Sequence, residues 1–68
     1  MKNLFTEYLI KNGWKEINIM TFQQKEKSQK AEIFFSSSNQ IEVYVNSKLK
    51  FEKYLLNLED LKEALSNM

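Results

Sequence analysis

The stretch YLIKNGWKEINI, Tyr8–Ile19, decides how the chain folds. Before Gly13, the apolar residues Met1, Leu4, Phe5, Tyr8 and Leu9 recur at three- and four-residue spacing, which lines them up on one stripe of a helix. After it, Ile17 and Ile19 alternate with Glu16 and Asn18, the period of a strand. Gly13 is the single glycine of the chain and stands where the two periods meet. There it can take the left-handed conformation without a Cβ clash and close the last helical turn. Trp14 then follows as the residue that packs back on Leu9, so the Gly-Trp pair reads as a helix stop. The spacing predicts a first helix from an N-cap at Asn3 to about Asn12.

Working outward, a first strand is expected from Lys15 to about Phe22. Within it Met20 and Phe22 fall on the opposite parity from Ile17 and Ile19. That calls for either a bulge or a second sheet face that is also partly apolar. QQKEKSQK, Gln23–Lys30, is a polar connection. A second strand, Ala31–Ser36, sends Ala31, Ile33 and Phe35 one way and Glu32 and Phe34 the other. SSSN, Ser36–Asn39, has turn composition. A third strand, Gln40–Asn46, sets Ile41, Val43 and Val45 against Glu42 and Tyr44, and Asn46-Ser47 makes another tight turn. A fourth, about Leu49 to Leu56, sends Leu49, Phe51 and Leu55 inward. A helical reading competes there, but Asn57 is a good N-cap with Glu59 and Asp60 behind it. A second helix then runs from Leu58 to about Ser66, burying Leu58, Leu61 and Leu65.

Short connections imply an antiparallel sheet, and helices with one apolar stripe each should lie on one face of it. The expected class is α+β. Its architecture is a two-layer α/β sandwich, an antiparallel meander of three or four strands with an N-terminal and a C-terminal helix on one face (αββββα or αβββα). All 68 residues belong to one small domain.

Composition bounds the function. The chain has no Cys and no His, so disulfides, thiolate sites and the usual zinc, copper and non-haem iron ligand sets are excluded, and no cofactor is expected. A hydrophobic content of 43% is too high for a disordered segment. Net charge is +1, which favours neither a duplex binder nor a mimic of DNA. Every basic residue is Lys, so the side chain best suited to bidentate recognition of guanine or phosphate is missing. No apolar run reaches the length of a signal sequence or membrane span, which makes the cytoplasm the default compartment and a membrane partner unexpected.

Catalytic groups are scarce. No histidine is present to serve as a general base, and Ser36, Ser37 and Ser38 lie in a turn without a nucleophile elbow around them. Glu32, Glu42 and Glu52 share a strand parity, yet a solvated sheet face offers them no water-excluding cleft. The expectation is that the protein is not an enzyme. YLIKNGWKEI resembles the start of the HicA/YcfA family of small toxin ribonucleases. Those proteins also place a helix, then Gly-Trp, then a strand, in a fold like that of double-stranded-RNA-binding domains. The resemblance implies a nucleic-acid-binding regulator of that fold. The family's catalysis depends on a His in a Gly-Ser-His type segment of the second strand. Here the corresponding region reads KSQKAEIFF and contains no His, so ribonuclease activity is not carried over and membership is not claimed.

What remains is the sheet face away from the helices. If Ile17, Ile33, Phe35, Ile41, Val43, Leu49 and Phe51 face inward, the other side presents Phe22, Phe34, Tyr44 and Tyr54. Glu32, Glu42, Lys50 and Glu52 stand among them, with Met20 and Leu56 adding to the face. Aromatic side chains grouped on an open face either pair across strands to stabilise a thin sheet or mark a contact surface, for a protein partner or a second copy of the chain. Lys25, Lys27 and Lys30 in the polar connection are candidate phosphate contacts, which keeps nucleic acid as the alternative partner. The expected function is thus that of a small binding module acting by surface occlusion. Size, absence of cofactors and absence of Arg are similar to those of proteins carried by phages and other mobile elements. Inhibitors of host defence complexes, including anti-CRISPR proteins, are the class this brings forward, by association alone.

Overall fold

The computed structural model describes residues 4–24 and 29–68. Its first helix, α1 (Leu4–Lys11), ends where the sequence places the stop. Asn12 N–H donates to Tyr8 O and Leu9 O, both at 3.1 Å, and Gly13 N–H donates to Ile10 O at 3.3 Å. Gly13 sits at φ +90°, the conformation its missing Cβ permits. Trp14 follows into the core beside Leu9. Along the predicted stripe Phe5 and Tyr8 pack against that core, whereas Leu4 is exposed. Met1 and the Asn3 cap lie outside the described residues.

The sheet has five strands: β1 (Trp14–Asn18), β2 (Thr21–Gln24), β3 (Ala31–Ser37), β4 (Gln40–Val45) and β5 (Lys48–Tyr54), paired in chain order. All four pairings are antiparallel. The strand count exceeds the expected three or four because the single strand foreseen from Lys15 to Phe22 is a hairpin. Asn18 Oδ1 accepts the N–H of Met20 at 2.9 Å, so the Asn side chain turns the backbone back on itself at Ile19-Met20. A register irregularity between Glu16 and Asn18 leaves Ile17 exposed, not inward-facing.

That reversal resets the parity, and it corrects the placement of Phe22. Phe22 stands opposite Ile33 and is 0% exposed. Its ring meets that of Phe35 edge to face, with centroids 5.9 Å apart. It belongs to the core and not to the open face.

The β4–β5 turn is made by Asn46 and Ser47, at φ 53° and 69°, the paired positive values of a two-residue hairpin whose twist matches its strands. In β5 the register slips between Val43 and Tyr44, so that Val43 faces Phe51 but Tyr44 faces Leu49. Lys50 is the extra residue of this bulge. Leu49, expected inside, is therefore turned outward and is 51% exposed.

Helix α2 (Leu58–Ser66) begins as foreseen. Asn57 Oδ1 accepts the N–H of Asp60 at 3.1 Å, while Asp60 Oδ2 accepts that of Leu56 at 2.7 Å, so two amide groups at the helix start are satisfied reciprocally. Lys53 Nζ donates to Glu63 Oε1 at 2.8 Å, tying β5 to α2. Leu9 of α1 and Leu61 and Ala64 of α2 join Phe22, Ile33, Phe35, Ile41 and Val43 in one core cluster, which puts both helices on the same face of the sheet.

Two substitutions check this architecture. Gly13→Val forces a β-branched residue to positive φ and should cost about 1–2 kcal/mol in a denaturation experiment. Its Cβ meets nothing within 4 Å, so the loss comes from the backbone and not from a clash. Phe22→Ala should cost about 3–5 kcal/mol, enough to unfold much of so small a domain at 37 °C. A Phe22→Ala protein with unchanged melting temperature would put that ring outside the core.

Candidate functional site

The face opposite the helices is built from residues of the other parity. Phe34 stands between Thr21 of β2 and Glu42 of β4. Tyr44 stands between Glu32 of β3 and Leu49 of β5. Glu42 lies directly opposite Glu52, and Gln40 opposite Tyr54. Phe34 and Tyr44 are consequently diagonal neighbours, with backbones about 7–8 Å apart, each facing a carboxylate across the ladder.

Of the side chains expected on this face, Phe34, Tyr44, Tyr54, Glu32 and Glu42 are brought together there, and Phe22 is not. Phe34, Tyr44, Glu32 and Glu42 are half-buried; Tyr54 is 57% exposed. Met20 lies in the β1–β2 turn, and Leu56 follows β5 with 78% of its surface exposed. Of the candidate phosphate contacts, Lys30 is exposed, its N–H donating to Asn46 Oδ1 at 3.1 Å. Lys25 and Lys27 lie outside the described residues.

Thr21, Glu32, Phe34, Glu42, Tyr44 and Ser47 line a depression of about 340 Å³. Thr21, Ser47 and Leu49 are members of the face that sequence reasoning missed. Asn18 was the available signal for Thr21, since recognising its turn restarts the strand at that residue. No sequence signal marks the bulge that exposes Leu49.

Tyr44 O–H donates to Glu42 Oε1 at 2.6 Å. This bond, followed by partial burial and the negative charges of Glu42 and Glu52, raises the phenol above its ordinary value of 10.0. Glu32, Glu42 and Glu52 form no ion pair among the described residues. Side by side, Glu42 and Glu52 are a like-charge cross-strand pair, an arrangement that destabilises a bare sheet.

A larger hollow, about 570 Å³, lies elsewhere, where the C-terminal ends of the two helices meet the sheet. Trp14, Tyr8 and Leu65 are among its walls, with Lys62 Nζ 5.7 Å from the centre of the Tyr8 ring. Gln24 and Gln29 border it as well. Lys62 is the one charged side chain among its described walls. The open face has the denser set of aromatic and charged groups, and the candidate site is centred there. No group of three or more His, Cys, Asp or Glu among the described residues could hold a metal ion.

The Tyr44 phenol links pH to stability. Its folded-state value lies above the unfolded one, so the contribution is fully present below pH 10.0 and is lost as the pH climbs through the folded value. In an ultraviolet titration, the component absent from Tyr44→Phe should ionise above pH 10.0 and move back toward it in Glu42→Ala. A Tyr44 component unmoved by Glu42→Ala would place the cause elsewhere.

Compared with known proteins, the chain matches no family model, no curated protein and no solved structure, so the likeness to the small toxin ribonucleases rests on the Tyr8–Ile17 stretch alone.

Proposed function

We propose that the chain is a non-enzymatic, cytoplasmic protein-binding module that occludes a surface of another protein with its open sheet face. The observation that carries this reading is the pair Phe34 and Tyr44, half-buried at the centre of a face that neither helix covers. Exposed Leu49 and Tyr54 extend the apolar area toward β5. Aromatic anchors inside a polar rim are where interfaces concentrate their binding energy.

No helix among the described residues is long and apolar enough to cross a membrane. Nucleic acid is the weaker partner for this face, because Glu32, Glu42 and Glu52 would stand close to a phosphate backbone.

Replacing Phe34 and Tyr44 together with Ala tests the proposal. Proteins retained from a nuclease-treated lysate of the source organism by the wild type should be lost by the double variant, an effect of about 2 kcal/mol or more on binding. Circular dichroism should be unchanged and stability reduced by only about 1–2 kcal/mol, the worth of two cross-strand pairs. Equal retention by both proteins would place the interface elsewhere.

A further inference from the structure

We propose that the depression between Phe34 and Tyr44 receives an arginine side chain from the partner protein. This inference rests on the reading of the open face as a protein interface and specifies what the partner must carry.

The argument starts from charge. Glu32 and Glu42 flank the two rings, and Glu52 stands beside Glu42. None of the three has a cationic partner among the described residues. Among the described residues the pair Glu42 and Glu52 is thus uncompensated beside the depression, and a cation seated there against Glu42 would relieve it.

Shape selects the cation. The depression, about 340 Å³, is far too small for a folded element and suits the end of one side chain. Its walls are Phe34, Tyr44, Glu32 and Glu42 with the smaller Thr21 and Ser47, a set that can engage a cation by its flat face and by its hydrogen bonds at once. A guanidinium does both: it stacks on a ring while its fork of N–H groups reaches a carboxylate, whereas a lysine ammonium is a compact, strongly hydrated point charge. The site is also preorganised. The 2.6 Å bond from Tyr44 O–H occupies Glu42 Oε1, holding ring and carboxylate in place and leaving Oε2 for the incoming group. Because the chain contains no arginine, a second copy of itself cannot supply the side chain. The occupant is a different protein.

The test uses the whole ¹⁵N-labelled chain and three capped pentapeptides, Gly-Gly-Xaa-Gly-Gly, with Xaa arginine, lysine or neutral citrulline. In nuclear magnetic resonance titrations the arginine peptide should shift the amides of Thr21, Phe34, Glu42 and Tyr44. It should bind about fivefold or more tightly than the lysine peptide, the worth of one stacked, forked contact. The citrulline peptide should leave the spectrum unchanged. Glu32→Gln combined with Glu42→Gln should abolish the arginine shifts while the spectrum stays dispersed as in the folded wild type.

Equal binding of the arginine and lysine peptides, or arginine shifts that survive in the double Gln variant, overturns the inference. So does sedimentation showing a dimer that the double Gln variant abolishes, since lysine would then be the occupant. Retention from lysate separates the two levels. A partner lost by the Phe34→Ala and Tyr44→Ala variant but kept by the double Gln variant overturns the arginine and leaves the interface standing. A partner kept by both overturns the interface as well.

Discussion

One constraint governs the rest of the structure: in a sheet covered on one side, every strand must give the same parity to the core. Ile33 faces Val43 and Phe35 faces Ile41 beneath the helices, and Phe22 faces Ile33 from the neighbouring strand. With these five locked inside, Glu32, Phe34, Glu42 and Tyr44 are carried to the other side, because the period of a strand allows nothing else. A slip of one residue in any of these registers would exchange the two sets. The open face is therefore as well determined as the core, although few apolar contacts hold it.

Where a local signal sets an element, the sequence was enough to find it. The glycine stop of α1, the Asn57 cap of α2 and the Asn46-Ser47 turn each rest on the chemistry of one or two residues. The alternation through Ala31–Phe35 and Gln40–Val45 was equally legible, and with it the outward placement of Phe34, Tyr44, Glu32 and Glu42. Phe22 was misread because its face depends on a turn of unusual composition. Ile19 and Met20 are apolar, and only the Asn18 side chain beside them announces a reversal. Leu49 was misread for a different reason. A bulge is a property of two strands together, arising from how β5 meets β4, and the alternation within either strand is silent about it.

Departures from local rules gather on the outer side of β4 and β5. Like charges face each other at Glu42 and Glu52, a half-buried tyrosine hydrogen-bonds a carboxylate, and a bulge turns a leucine to solvent. On the inner side Ile41 and Val43 are fully buried, and the one charged residue opposite them, Lys53 across from Ile41, is paired with Glu63 of α2. Proteins tend to confine such conflicts to the surfaces they use, since selection for stability alone would remove them. In a chain whose folding hides only about 60% of its surface, tolerating them near the edge of the sheet leaves the margin of the core intact.

The bulged strand β5 has one more consequence. It is an outer strand of the sheet, and an outer strand normally offers a row of unsatisfied amide and carbonyl groups on which other chains can polymerise. Here that border carries Lys48 and Lys50, the latter being the extra residue of the bulge. Mutual repulsion and a broken ladder make it a poor template for strand addition. The opposite border, β1, is only five residues long and has its own irregularity at Ile17. A protein with such blunted borders can expose aromatic side chains on its sheet without seeding fibrils.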